Sequence, residues 1–270
     1  DGYEILITSG VLNTQNFDIS LSAGARGIQL YSPSSTHDKG IRLGTSTVTL
    51  ANGQNVAWDL TGAEVVEASE STIIITGFRS DCCGNYFKGG NHIYNDLIFT
   101  NTTPSTGGYW QIEGDNTFNT LTFTTDAKLT DSNTINTLNL RQGSTYTLTS
   151  GKTQTILSDL TANGVINFPV TIKSSNSNPT ILDIPTASVC LDYMTIENLH
   201  VIDYGYFDAG ANSTNQGGND GILFDGLCTF DPKPMLGSGT EIDPFQIANF
   251  DHLLWLSENG GSNQHFIQTA

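Results

Sequence analysis

Charge is what this chain has least of. Only 14 % of its 270 residues are Asp, Glu, Lys or Arg, against about 25 % in an ordinary soluble domain. Ten Lys and Arg stand against 27 Asp and Glu, a net charge of −17. So few cations, scattered along the chain, form no basic stripe. Nucleic acid is therefore excluded as an expected partner, because binding it means displacing counterions with clustered Lys and Arg. An anionic membrane surface would repel the chain for the same reason. No apolar run approaches the ~18 residues that span a bilayer, so no membrane insertion is expected. No leader peptide is legible, and both ends read as cuts in a longer polypeptide.

Cysteine is scarce too. The four stand at Cys82, Cys83, Cys190 and Cys228. None makes a Cys-x-x-Cys pair, so a zinc knuckle is not expected. All four are disulfide candidates in an oxidising compartment, although Cys190 also reads as a small buried hydrophobe. Strong helix formers are sparse over most of the length. Thr, Ser, Asn and Gly take the place of the missing charge, and Thr, Ile, Val, Phe and Tyr favour a pleated, half-buried surface.

What is present is a repeated phrase. Asn116-Thr-Phe-Asn-Thr-Leu-Thr-Phe returns 17 residues later as Asn133-Thr-Ile-Asn-Thr-Leu-Asn-Leu. A looser version, Tyr94-Asn-Asp-Leu-Ile-Phe, stands 24 residues before the first. Repeats of this length suit coils that bury their apolar side only by stacking on neighbours. The expected fold is all-β, a parallel β-helix or β-solenoid with short irregular coils. Strand parity puts Leu97, Leu121 and Leu138 inside, together with Phe99, Phe123 and Leu140. Phe118 has the wrong parity, so a bend at Asn119 is expected to turn it inward. Asn95, Asn119 and Asn136 are then equivalent corners, with amides stacked along the axis and backbone able to enter the left-handed and bridge conformations.

The solenoid is expected to cover residues 1–230, followed by a linker at 231–239. A second, truncated module is expected at 240–270, with a short helix from an Asn249 cap through Glu258.

The wording of several segments resembles a known group. They are Leu43-Gly-Thr-Ser-Thr-Val-Thr-Leu, Val56-Ala-Trp-Asp-Leu, Ser71-Thr-Ile-Ile-Ile-Thr-Gly, Tyr86-Phe-Lys-Gly-Gly, Lys152-Thr-Gln-Thr and Leu191-Asp-Tyr-Met-Thr-Ile. Over residues 40–225 they resemble secreted bacterial and metagenomic repeat proteins of parallel β-helix character, many of them adhesin-like. Gly237-Ser-Gly-Thr-Glu-Ile-Asp-Pro-Phe resembles the leader of GLUG-type surface modules. The resemblance implies an extracellular or cell-surface location and brings no catalytic motif.

Chemistry is thin elsewhere. Asp-Asp, Gly-His-Gly and Arg-x-Lys, the strings of polygalacturonase-like hydrolases, do not occur. Glu113 and Asp115 could pair as carboxylates for acid–base work, but an edge pair or turn aspartate explains them as well. Glu64, Glu67 and Glu70 read as a surface cluster at helical or loop spacing, without a basic partner. Arg79, Lys88 and Arg141 are the only tempting bases for a lyase. The histidines at 37, 92, 200, 252 and 265 show no metal-ligand spacing.

No cofactor is expected, calcium excepted. Asp203, Asp208 and Asp220 gather oxygen ligands in a Gly/Asn-rich stretch that a hard cation could use. Thr45/Thr47/Thr49, Thr120/Thr122/Thr124 and Thr145/Thr147/Thr149 could form the flat array that ice binding needs. A structural stalk or fibre segment, partnered by other copies or neighbouring modules, is the first expectation. Carbohydrate binding or cleavage is the second. A groove lined by Trp58, Tyr109 and Trp110 would favour the sugar reading over a plain Thr/Asn wall.

Overall fold

The computed structural model describes residues 4–22, 26–30, 38–51, 55–77, 84–100, 108–185, 188–202, 207–225, 237–247 and 264–269. Among them one sheet stacks ten parallel strands: Glu4–Ile7, Gly27–Leu30, Val56–Asp59, Gly84–Lys88, Tyr109–Glu113, Ala127–Leu129, Thr145–Leu148, Val170–Ser174, Met194–Glu197 and Thr214–Asn215. A second sheet of eleven strands includes Val65–Ile75, Ile93–Phe99, Thr117–Phe123, Asn133–Leu140 and Thr153–Thr161. The chain gives a strand to each sheet in turn. It is all-β with parallel strands in stacked sheets, an arrangement consistent with a β-solenoid.

Coil length is irregular. Trp110 pairs with Ala127, Ala127 with Tyr146, Tyr146 with Ile172 and Ile172 with Ile196, giving steps of 17, 19, 26 and 24 residues. The extra residues sit in the connections, because the hydrogen-bonded strands must keep register while loops need not.

The second sheet is creased lengthwise. Val65–Glu67 pairs with Gly40–Arg42, whereas Thr72–Ile75 pairs with Thr47–Leu50. In the next coils the crease narrows to one residue. Tyr94 and Asp96 pair with Phe118 and Thr120, which pair in turn with Ile135 and Thr137. Asn95, Asn119 and Asn136 fall in the gaps. The crease resets the alternation, so Phe118, Leu121 and Phe123 are all buried. None of the three asparagines has a positive φ. Of the two expected conformations the left-handed one is not used: a one-residue skip between two extended segments needs no αL residue. Among the described residues the left-handed asparagines are Asn16, Asn91, Asn167 and Asn198.

The repeated phrases stack in register, Leu97 on Leu121 on Leu138 and Phe99 on Phe123 on Leu140. Identical side chains therefore meet across coils, and their rings stack. Phe99 lies 4.9 Å from Phe123 at an interplanar angle of 7°. Trp58 stacks on Phe87 at 5.8 Å and Tyr94 on Phe118 at 5.7 Å. Burial of these large rings contributes strongly to the drive for stacking, since an aromatic side chain buries about 150–250 Å².

Close approach explains Gly40, whose absent Cβ would lie 1.7 Å from the Val65 carbonyl oxygen. Past the main stack, Phe245–Ile247 and Phe266–Gln268 form a separate parallel pair. The expected helix at 249–258 and residues 231–236 of the expected linker lie outside the described residues.

Candidate functional site

Polar chemistry concentrates at the turn that carries the chain from the first sheet into the second. In one coil this turn is Gly114-Asp115-Asn116, and in the next Asp131-Ser132-Asn133. Gly114 turns with φ +97°. Asn116, Asn133 and Gln154 are buried there, 1, 2 and 1 % exposed. A buried amide costs stability unless its groups are bonded, and here they are. Asn133 Oδ1 accepts from the Asn116 N–H at 3.2 Å, and Asn133 Nδ2 donates to Gln154 Oε1 and the Asp131 carbonyl, both at 3.0 Å. Asn116 Oδ1 accepts from the Asn91 N–H at 3.1 Å.

Carboxylates do the same work on the outside of this turn. Asp115 accepts from the Ser132 N–H at 2.9 Å, and Asp131 from the Gly114 N–H at 2.9 Å. Burial pushes the Asp131 carboxyl up, but the Gly114 N–H, Lys152 at 3.3 Å and the Thr130 hydroxyl outweigh it, and the group sits below the usual carboxylate range. A lowered folded-state pKa contributes stability above the unfolded value, about 4, and loses it as pH falls through the folded value. Asp131→Asn should therefore lower the melting temperature at pH 6, with the gap to the parent closing below about pH 4. Thermal melts across pH 2–7 would check this, and a gap that persists in acid would refute it.

The outer face of the first sheet holds further charge. Lys88 lies between Asp59 and Glu113, at 3.5 and 3.9 Å. Further along, Lys128, Thr147, Lys173 and Glu197 are register neighbours on four successive strands. Beside them, Ser174, Asn176 and Asn198 help to wall a groove of about 550 Å³. Lys128 rests 3.6 Å from the centre of the Tyr109 ring.

No family model, curated protein or solved structure matches this chain. Function rests on geometry.

That geometry separates the expected site residues. Glu113 ends a strand, bonded by Gln111 of that strand and facing Lys88 of the neighbouring one, whereas Asp115 sits in the following turn on Ser132. Each is held by its own partners. The expectation for the acidic cluster is corrected: Val65–Ile75 is a strand. Glu67 does have a basic partner in Arg42 at 2.8 Å, and Glu64 accepts from the Lys39 N–H. Arg141 Nη1 donates to the Thr124 carbonyl at 3.1 Å. Arg79 lies outside the described residues, as do His37 and His252. Burial lowers the pKa of His92, partly offset by a bond to the Ala63 backbone. His200 Nε2 stands 3.1 Å from Asp220 Oδ2.

Of the calcium candidates, Asp208 is fully buried and accepts from the Gly210 N–H, whereas Asp220 is exposed beside His200. Asp203 lies outside the described residues. Among the described residues no three His, Cys, Asp or Glu side chains gather closely enough to hold a metal ion. Cys82, Cys83 and Cys228 also lie outside. Cys190 is a free, half-buried thiol. In its two-residue strand Val189 takes the buried parity and leaves Cys190 on the other face, so it is not the small buried hydrophobe of the other expectation.

Trp58 and Trp110 are wholly buried. They belong to the ring stacks of the core and offer no face to a sugar. Tyr109 alone of the three is partly exposed, and Lys128 covers its ring. The threonine rows divide between faces. Thr145 and Thr147 are on the first sheet, Thr47 and Thr120 on the second, and Asp96, Ile74 and Ile98 interrupt the columns between them.

Asn136 Nδ2 donates to Asn119 Oδ1 at 3.3 Å, and Asn119 Nδ2 to Asp96 Oδ1 at 3.4 Å. These amides are at the surface. The buried ladder through Asn116, Asn133 and Gln154 was missed by sequence reasoning, although the repeated phrase begins with two of its members. The signal was the Asn that opens each copy.

Proposed function

We propose that this chain is a structural segment of a long extracellular surface protein, an adhesin stalk or a subunit of a surface fibre, without catalysis. Its partners are then other copies or neighbouring modules of the same kind. The observation that carries this reading is how the polar side chains are used. Buried amides and turn carboxylates bond backbone groups of the next coil, so the residues that could do chemistry are spent on stacking. Large aromatics, which could bind sugar from a surface, fill the interior instead. A stack of parallel strands makes a stiff element, because every coil inside the stack is hydrogen-bonded to the one before and the one after.

The resemblance of residues 40–225 to secreted repeat proteins supports the same reading. So does the GLUG-like text at 237–270, taken as the start of a second module after a solenoid at 1–230. This role needs no calcium.

Small-angle scattering and electron microscopy should show a rod, with ten strands of the first sheet spanning about 45 Å at ~4.8 Å per strand. Incubation with neutral and acidic polysaccharides should release no reducing ends and no unsaturated sugars. Turnover of any of them would overturn the proposal.

A further inference from the structure

We propose that the groove on the first sheet binds an acidic, uronate-type saccharide. The argument starts from the scarcity of cations. Lys88, Lys152 and Arg42 each lie against a carboxylate. Among the described residues Lys173 has no such partner, and Lys128 is held by an aromatic ring. These two lysines stand two strands apart on one sheet face, with Thr147 between them. Neighbouring strands lie ~4.8 Å apart, so the lysines are separated by about 10 Å along the axis, room for one pyranose ring above Thr147.

Chemistry selects the ligand. On a chain of net charge −17, long-range repulsion disfavours any anion that does not also make close hydrogen bonds. The groove offers those bonds through hydroxyls and amides, including Thr147, Asn176, Ser177 and Asn198, the groups that match a polyhydroxy ligand. Lys173 supplies a charge-assisted bond to a carboxylate. Glu197, next in register to Lys173, repels densely charged ligands and accepts from sugar hydroxyls. One carboxylate per sugar, flanked by neutral hydroxyls, satisfies both. A sulfated glycan does not. The contact is independent of the stalk role, since loss of binding leaves the coil stack intact.

The test is calorimetric titration of a galacturonate trimer at low ionic strength, with amide chemical shifts to locate it. Saturable binding is expected, with shifts centred on Thr147 and Lys173. Lys173→Gln should weaken it about tenfold or more, and Glu197→Gln should strengthen binding of a heparin-type sulfated trimer. Both variants should keep the parent melting temperature, because both side chains are on the outer face. The proposal is overturned if a neutral galactose trimer binds as tightly, if the sulfated trimer binds the parent better than the uronate, or if the shifts fall elsewhere. Absence of saturable binding overturns it as well.

Discussion

Phe99→Ala should cost about 3–5 kcal/mol of folding stability, the range for truncating a fully buried aromatic. Phe99 is entirely buried. Its ring lies 4.7 Å from Trp110 and 4.9 Å from Phe123, so it joins the two sheets as well as two coils. Neighbouring backbone cannot collapse into the space, because strand spacing is set by hydrogen bonds on both sides. Urea denaturation would measure the loss, and amide exchange should show it centred on the strands Ile93–Phe99, Tyr109–Glu113 and Thr117–Phe123. A cost below about 1 kcal/mol would mean that the aromatic stack does not hold the coils together.

Asn133→Leu should cost roughly 2–4 kcal/mol although Leu has nearly the same volume. The amide joins Asn116 above to Gln154 below. Leu would leave the Gln154 oxygen without its donor, the Asp131 carbonyl only its bond from Gln154 Nε2, and the Asn116 N–H only its contact to the Gly114 carbonyl. Desolvation of each orphaned group is what makes the change expensive, not loss of packing. Asn136→Ala makes the comparison sharp. Its amide bonds Asn119 at the surface, where water replaces the lost partner, so the change should stay within about 0.5 kcal/mol. Equal costs at the two positions would refute the distinction between the buried ladder and the surface one.

The repeated phrase made much of this architecture legible. Its two copies differ by 17 residues, and Phe118, Leu121 and Phe123 stack on Ile135, Leu138 and Leu140 at that offset. Parity marked Phe118 as anomalous, and the crease at Asn119 is the physical answer to that anomaly. Trp58 and Trp110 were harder to place. An aromatic on a strand can face either way, and alternation alone does not say which sheet face is inside when both carry apolar residues. The acidic residues near Val65 were misjudged for a related reason. Three glutamates at a spacing of three mimic a helix face, and the pairing of Glu67 with Arg42, 25 residues away, is invisible in one dimension.

By itself the sequence determined that the chain is β, that its unit is a coil, and which apolar residues of the repeated phrase lie inside. Local parity and repeat length carry that information, because both are properties of neighbouring residues. Only the tertiary structure decided where the amides go and which surface residues meet. Lys128, Lys173 and Glu197 become neighbours through coils of different length. Loop insertions change those lengths without disturbing the register of the strands, so no fixed spacing in the sequence announces the groove.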